Sequence, residues 1–277
     1  MSNLGNVILA IKYIEGHLNE KLDLDVVADS VHYSKYHLHR IFTDTVGLTI
    51  HDYVKRRRLT EAAKLLVFSQ KPILDIALIA GYESQQAFTS TFKAMYKQTP
   101  NQFREGEEFY PLQLEFQFNN CSTLPSHKGQ EKKREITLVT EIDIALWMDL
   151  VRLVIDGFPC LIEKEHIKVL KRYIAKKQAL MMKEAGRTIG IMMFSYETGS
   201  IDFLGVHPLY RNKGVIKEFL DKVIYDLLAN KEISITTYRE GDKADTGHRK
   251  ELQRLGFAEA ELLTEFGYPT QRFILLK

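Results

Sequence analysis

The sequence predicts two domains of different class: an all-α N-terminal part made of two helix-turn-helix units joined by a long helix, and an α/β C-terminal part built on a mixed sheet. Three observations carry this. Apolar residues recur at helical spacing from Val7 to Arg104, one helix-turn-helix pattern occurs twice about fifty residues apart, and beyond Glu135 short strand patterns bounded by glycine alternate with helical ones. A chain of 277 residues has room for two ordinary domains. Boundaries fall at 1–108 for the helical domain, 109–134 for a strand and linker, and 135–277 for the α/β domain.

Asn6 to Leu18 forms an amphipathic first helix with Val7, Ile11, Ile14 and Leu18 along its buried stripe. Leu24 to Val31 opens the first helix-turn-helix unit. Its second helix follows the N-cap Ser34, with Leu38, Ile41 and Phe42 facing inward and Tyr36, His39, Arg40 and Thr43 outward. Thr49 to Phe68 is one helix of roughly 27 Å, on the order of one DNA turn of ~34 Å. Such a connector can hold two recognition helices in successive major grooves, so one molecule can read a bipartite site. Ile73 to Tyr82 and the helix after Ser84 form the second unit. Phe88, Phe92 and Met95 line its inner stripe, and Gln85, Gln86, Thr89, Ser90 and Lys93 lie on the opposite face. Such amides and hydroxyls are suited to base edges, glutamine pairing twice with adenine. Ser34 aligns with Ser84, Leu38 with Phe88, Phe42 with Phe92 and Thr49 with Thr99.

The motifs YSKYHLHRIF, RRRLTEAAKLL, PILDIALIAGYESQQAFTSTFK and TPNQFR, in this order, resemble the double helix-turn-helix domain of the AraC/XylS transcription regulators, in the branch of the multidrug and oxidative-stress activators. The resemblance covers about Val7 to Arg104. It implies double-stranded DNA as partner, RNA polymerase as a second, and a bacterial-type cytoplasmic regulator. Lys97 stands where the family usually has glycine, which predicts that the helix runs on into Gln98, and Ile50 replaces a frequent proline.

Net charge is only +2, so nucleic-acid binding must rest on local charge. Arg56, Arg57 and Arg58, with Lys55, form the densest basic cluster. Between two helix-turn-helix units they are expected to contact phosphates, the alternative being a solvated helix face. Two cysteines, Cys121 and Cys160, make neither a disulfide framework nor a zinc site, which points to a reducing cytoplasm and no metal. No signal-peptide pattern or membrane-length apolar run occurs, so no membrane partner is expected.

Leu112, Leu114, Phe116 and Phe118 alternate with polar residues, the pattern of a half-buried strand. Asn119 to Glu135 is polar and reads as a linker. From Glu135 the expected order is strand 136–140, helices 143–155 and 164–177, strands 179–184, 188–196 and 200–206, helix 215–228, strand 233–237, helix 246–255 and strands 258–263 and 271–276, with hairpin turns at Gly186 and Gly199. Met181, Met182, Met192, Met193 and Trp147 read as core, and the spacing of His37 and His39 does not suggest a metal pair.

This order, with IDFLGVHPLYRNKGVIKEFLDKVI at 201–224 and HRKELQRLGF at 248–257, resembles the GCN5-related N-acetyltransferase (GNAT) fold. The resemblance implies that Val206, Arg211, Asn212, Lys213, Gly214 and Val215 hold the pyrophosphate of acetyl-CoA or coenzyme A at a helix start. The bland alternative is a tight strand-to-helix turn. Ile216 stands where the family has glycine or alanine and is expected to crowd the phosphates. Leu252 replaces a tyrosine that protonates the leaving thiolate in many members. Both argue against efficient catalysis. A substitute acid could be Tyr238 and a base Asp202 or Glu197, each otherwise an ordinary surface group. Three roles stay open for this domain: a module that senses a small-molecule effector or acyl-CoA, an active N-acetyltransferase acting on an amine, and a protein-interaction scaffold.

Overall fold

The computed structural model describes residues 3–118, 133–157, 160–211, 213–228 and 231–275. The expected linker at 119–132, with Cys121, lies outside the described residues, and so does Asn212. The chain divides into two compact units, Met1–Ser122 and Thr123–Lys277.

The first unit is helical: α1 Asn3–Gly16, α2 Leu24–Ser30, α3 Lys35–Val46, α4 Ile50–Phe68, α5 Ile73–Ile79, α6 Gln85–Tyr96 and α7 Pro100–Glu105. Equivalent residues cap the two copies of the repeat. Ser34 Oγ accepts from the His37 N–H, and Ser84 Oγ from the Ala87 N–H. Thr49 and Thr99 cap α4 and α7 in the same way. Each cap satisfies one of the N–H groups that a helix start leaves unpaired. The inner stripes are buried as expected, with Leu38, Phe42, Phe88 and Phe92 fully inside.

At the C-terminus of α6 the structure departs from the sequence expectation. The helix stops at Tyr96, and Lys97 turns left-handed at φ 62°, just as Gly47 does at φ 80° after α3. The Lys97 N–H bonds the Lys93 carbonyl, as the Gly47 N–H bonds that of Thr43. The next element must turn there, so the cap geometry overrides the residue's preference.

The segment from Tyr110 to Phe118 is extended but forms no strand. Its alternation holds only from Glu115 onward: Leu112, Phe116 and Phe118 are buried and Glu115 and Gln117 exposed, but Gln113 is fully buried and Leu114 only half-buried. Its backbone pairs with side chains of α4 instead of a neighbouring strand. Thr60 Oγ1 accepts the N–H groups of Leu112 (3.1 Å) and Gln113 (3.2 Å). Arg56 and Arg57 donate to the carbonyls of the same two residues. Phe116 stacks on Tyr53 and Tyr110 packs on Tyr96. This strap therefore belongs to the first unit, and its burial resembles that of a strand because one side lies on a helix.

The second unit is one seven-stranded mixed sheet in the order β1-β2-β3-β4-β5-β7-β6. The strands are β1 Arg134–Leu138, β2 Ala179–Glu184, β3 Arg187–Phe194, β4 Ser200–Val206, β5 Ser234–Tyr238, β6 Phe257–Glu265 and β7 Tyr268–Leu275. Its helices are α8 Ile144–Leu153, α9 Glu163–Ala175, α10 Val215–Asp221 and α11 His248–Arg254. The predicted helix 215–228 is α-helical only to Asp221 and becomes a π-helix over Lys222–Leu227. Gly186 and Gly199 hold positive φ in the two expected hairpin turns. α8 and α9 cover one core cluster, around Trp147, Ile191 and Phe203, and α10 and α11 another, around Met192, Phe219 and Phe273.

β4 and β5 are parallel and pair only at Ser200–Ser234 and Ile201–Ile235, after which they separate. On its other edge β4 carries a bulge. Met193 pairs with Phe203 and Phe194 with Ile201, which leaves Asp202 as the extra residue.

Candidate nucleic-acid interface and ligand cleft

In the first unit, α3 and α6 each bury one stripe and leave the other in solvent. Tyr36 is 81% exposed, and His39 and Arg40 are exposed beside it. On α6, Gln85, Gln86, Ser90 and Lys93 are exposed. Thr89 is half-buried. Thr43 is too, and its Oγ1 is buried without a hydrogen-bond partner among the described residues, so it faces the core more than the expected outer face.

The basic cluster on α4 is where the sequence reading fails. Arg56 and Arg57 are 2% and 7% exposed. Arg57 forks onto Glu15 of α1 through Nε (2.9 Å) and Nη2 (2.8 Å), and also reaches Glu61 at 3.0 Å. Burial opposes its charge, but the Glu15 carboxylate more than compensates and holds the guanidinium firmly protonated. Arg58 is half-buried, donates to the carbonyls of Leu18 and Glu20, and lies against Gly81, where a Cβ would touch its Nη1 at 3.0 Å. Arg56 and Arg57 thus tie α4 to the strap and α1 from a buried position, unlike the exposed phosphate contacts expected, and Arg58 ties α4 to the segment after α1. Nothing in the run KRRR distinguishes the two roles, because the partners that bury Arg56 and Arg57, Glu15 and the strap carbonyls, are distant in sequence.

In the second unit, the loop after β4 runs from His207 into α10. His207 is buried and held neutral. Burial and then the nearby Arg187, Arg211 and Lys213 charges lower its pKa to about 4, and its Nδ1 accepts the Leu209 N–H. Val206 is buried in the core. Gly214, at φ 77°, caps α10, and a Cβ there would meet nothing within 4 Å. Lys213 lies over the Tyr210 ring at 4.7 Å. Val215 is buried, and Ile216 packs against the adjoining core. Arg134 of β1 grips the loop from outside, donating to the Lys213 carbonyl and pairing with Glu184 and Glu218.

Arg211 is paired from within. Its Nη2 lies 2.8 Å from Oδ1 of Asp156, a fully buried carboxylate in the 3-10 turn Ile155–Gly157. Thr246 Oγ1 donates to Asp156 Oδ2 at 3.0 Å, and the Tyr238 hydroxyl donates to the Asp156 carbonyl at 2.8 Å. The sequence offered no signal for Asp156, a single acid in a loop.

The candidate acid and bases are not gathered into one constellation. Tyr238 is buried, with its hydroxyl tied to Asp156. Asp202 accepts from Tyr173 and Ser200, both at 2.7 Å. Glu197 lies in the β3–β4 turn instead of on a strand, exposed and 3.6 Å from Lys176. Leu252 is buried in the core. The described residues contain no cluster that could hold a metal ion and no helix long and apolar enough to cross a membrane.

These features, a duplicated capped helix-turn-helix pattern around one long helix, define a double helix-turn-helix protein. A family model described as a helix-turn-helix domain matches residues 27–106. Over 105 residues the chain is 48% identical to the probable transcription factor PqrA of Proteus vulgaris, covering 37% of this chain and 84% of that protein. The chain belongs to the AraC/XylS helix-turn-helix family, in the branch of the stress activators. It is 41% identical over 135 residues to the right origin-binding protein of Escherichia coli K12, covering 46% of this chain but only 45% of that relative. The chain thus spans about half the length of the longer curated relatives it matches. A GNAT-family acetyltransferase structure from Bacillus cereus is similar to this chain over 52% of its length and 99% of that structure, at 14% identity and a TM-score of 0.41.

Proposed function

We propose that the chain is a sequence-specific regulator of transcription that binds double-stranded DNA in the bacterial cytoplasm and acts with RNA polymerase. The observation that carries the reading is the pair of exposed polar faces on α3 and α6, held by one helix and capped alike. Tyr36, His39 and Arg40 read one half-site, and Gln85, Gln86 and Ser90 the other, with Lys93 on backbone phosphate. The name of the relative PqrA, a probable transcription factor, agrees with this. The second unit serves as a sensor for an anionic small molecule, a coenzyme A species being the first candidate. Arg211, Lys213 and the N–H groups of Gly214 and Val215 would hold its phosphates. A bound coenzyme would bring a thioester or thiol to the cleft. The burial of Tyr238 and Leu252 supports binding over rapid acetyl transfer.

The test is binding-site selection from random duplexes, with the full chain and its Arg40→Ala variant. Arg40 paired with guanine is worth about 1–3 kcal/mol of discrimination. The variant is expected to lose preference at one position while keeping the rest of the site. An unchanged ranking of all sites would remove Arg40 from the base-reading set, and no selected sequence with wild type would overturn the reading.

A further inference from the structure

We infer that the Ile155–Gly157 turn is an internal plug in the cleft between β4 and β5, its Asp156 carboxylate holding the Arg211 guanidinium that a phosphate-bearing ligand must take. The inference rests on the proposed ligand role of this cleft.

The two strands pair at two positions and then separate, and a gap between parallel strands leaves backbone and side chains needing partners. Asp156 supplies them on both sides. It joins Arg211, beyond the end of β4, to Tyr238, the last residue of β5, and to Thr246, ahead of α11. The turn comes from the chain between α8 and α9, so none of these bonds belongs to the sheet itself.

The chemistry at Arg211 is that of a ligand site with a ligand's charge already in it. A guanidinium binds carboxylate and phosphate through the same fork of N–H donors. Exchanging one for the other keeps the charge paired, so a phosphate can replace Asp156 without leaving a buried unpaired cation. The loop's other arginine grip differs. Arg134 is fixed by two carboxylates, Glu184 and Glu218, and by the Lys213 carbonyl. Around Asp156 the packing of polar groups is incomplete: His248 Nε2 is buried, lacks a hydrogen bond among the described residues, and lies 3.7 Å from Asp156 Oδ2.

A plug of this kind lowers apparent affinity by the fraction of molecules in which it is withdrawn. It also makes ligand entry move the turn between α8 and α9, which gives binding a structural consequence inside this unit. The binding site thus responds only to ligands whose anion outcompetes an internal carboxylate.

The experiment is calorimetry on the full chain with coenzyme A, and with pantetheine as the probe that lacks phosphate. Asp156→Asn is expected to bind coenzyme A about ten-fold more tightly than wild type, with pantetheine unaffected. Thr246→Val, which removes one hydrogen bond that seats the Asp156 carboxylate but leaves the Arg211 pair, is expected to tighten coenzyme A binding by a smaller factor than Asp156→Asn does, again with pantetheine unaffected. Equal affinity of wild type and Asp156→Asn for coenzyme A overturns the plug and leaves the ligand reading standing. An equal gain with pantetheine also overturns it, because the substitution then only loosens the fold. If no protein binds coenzyme A, the ligand reading falls and the plug with it. Should Asp156→Asn fail to fold, hydrogen exchange on wild type decides. Coenzyme A must speed exchange in peptides spanning 150–157 while slowing it at 213–216, and slowed or unchanged exchange at 150–157 overturns the plug.

Discussion

Replacing Thr60 with valine removes one oxygen and keeps the shape of the side chain. Thr60 is 1% exposed, and its Oγ1 receives the strap N–H groups of Leu112 and Gln113. In the valine variant both N–H groups stay buried and lose their acceptor. Each orphaned donor costs about 1–3 kcal/mol, so the total is about 2–6 kcal/mol. That is a large share of the ~5–15 kcal/mol that holds a typical domain together. Thr60→Ser keeps the oxygen and deletes one methyl, at a cost of about 1 kcal/mol. The expected order, valine worse than serine, is the reverse of what apolar packing alone would give. Urea unfolding followed by helical circular dichroism reports both units, and fluorescence from Trp147, the single tryptophan, identifies the second unit's transition so that the first unit's can be separated from it. Protease cutting within 111–118 should rise in the valine variant. A valine variant at least as stable as the serine one would refute the polar latch between strap and α4.

Further expectations concern single residues. Arg57→Met is expected to destabilise the first unit by leaving Glu15 unpaired, at about 3–5 kcal/mol for a broken buried pair. In protein that remains folded, the salt slope of DNA binding should be unchanged, and a slope reduced by about one would return Arg57 to the phosphate contacts. Lys97→Gly is expected to stabilise the same unit by about 1 kcal/mol, since glycine adopts the left-handed cap without strain, and a thermal midpoint raised by about 4 °C checks it. In the second unit, burial lowers the pKa values of His166 and His207 to about 4, while unfolded histidines titrate near 6.5. Stability is therefore fully present above pH 6.5 and falls toward pH 4, at about 1.4 kcal/mol per pH unit for each histidine. Assigned resonances of His166 and His207 that titrate near pH 6.5 in the folded chain would refute this.

What could be read from the sequence was what short-range chemistry decides. Ser34 and Ser84 announce helix starts because a cap needs only its own next three residues. The hairpins at Gly186 and Gly199 were legible for the same reason, since a positive φ is a local demand. The arginines of α4 were not legible. Their burial depends on Glu15 and on the strap, about forty and fifty-six residues away in sequence. Lys97 misled because the turn into α7 dictates its conformation against its own preference. The strap was half legible. Its alternation correctly marked Leu112, Phe116 and Phe118 as inside but missed the buried Gln113, and alternation does not say whether the partner is a strand or a helix. Asp156 could not be found from sequence, because its role exists only where three distant segments meet.

The strap has a consequence for how the protein behaves in a crowded solution. A run of alternating Leu, Leu, Phe and Phe without proline or glycine within it is the composition from which intermolecular β-structure grows. Such a segment is harmless only while its backbone has no donors and acceptors to offer a second molecule. Here the N–H and C=O groups at its start are taken by Thr60, Arg56 and Arg57, and one flank lies on aromatic rings of the first unit. The buried arginines thus occupy backbone acceptors that such growth would need. Any change that frees the strap would make the chain prone to aggregate before it lost its recognition helices.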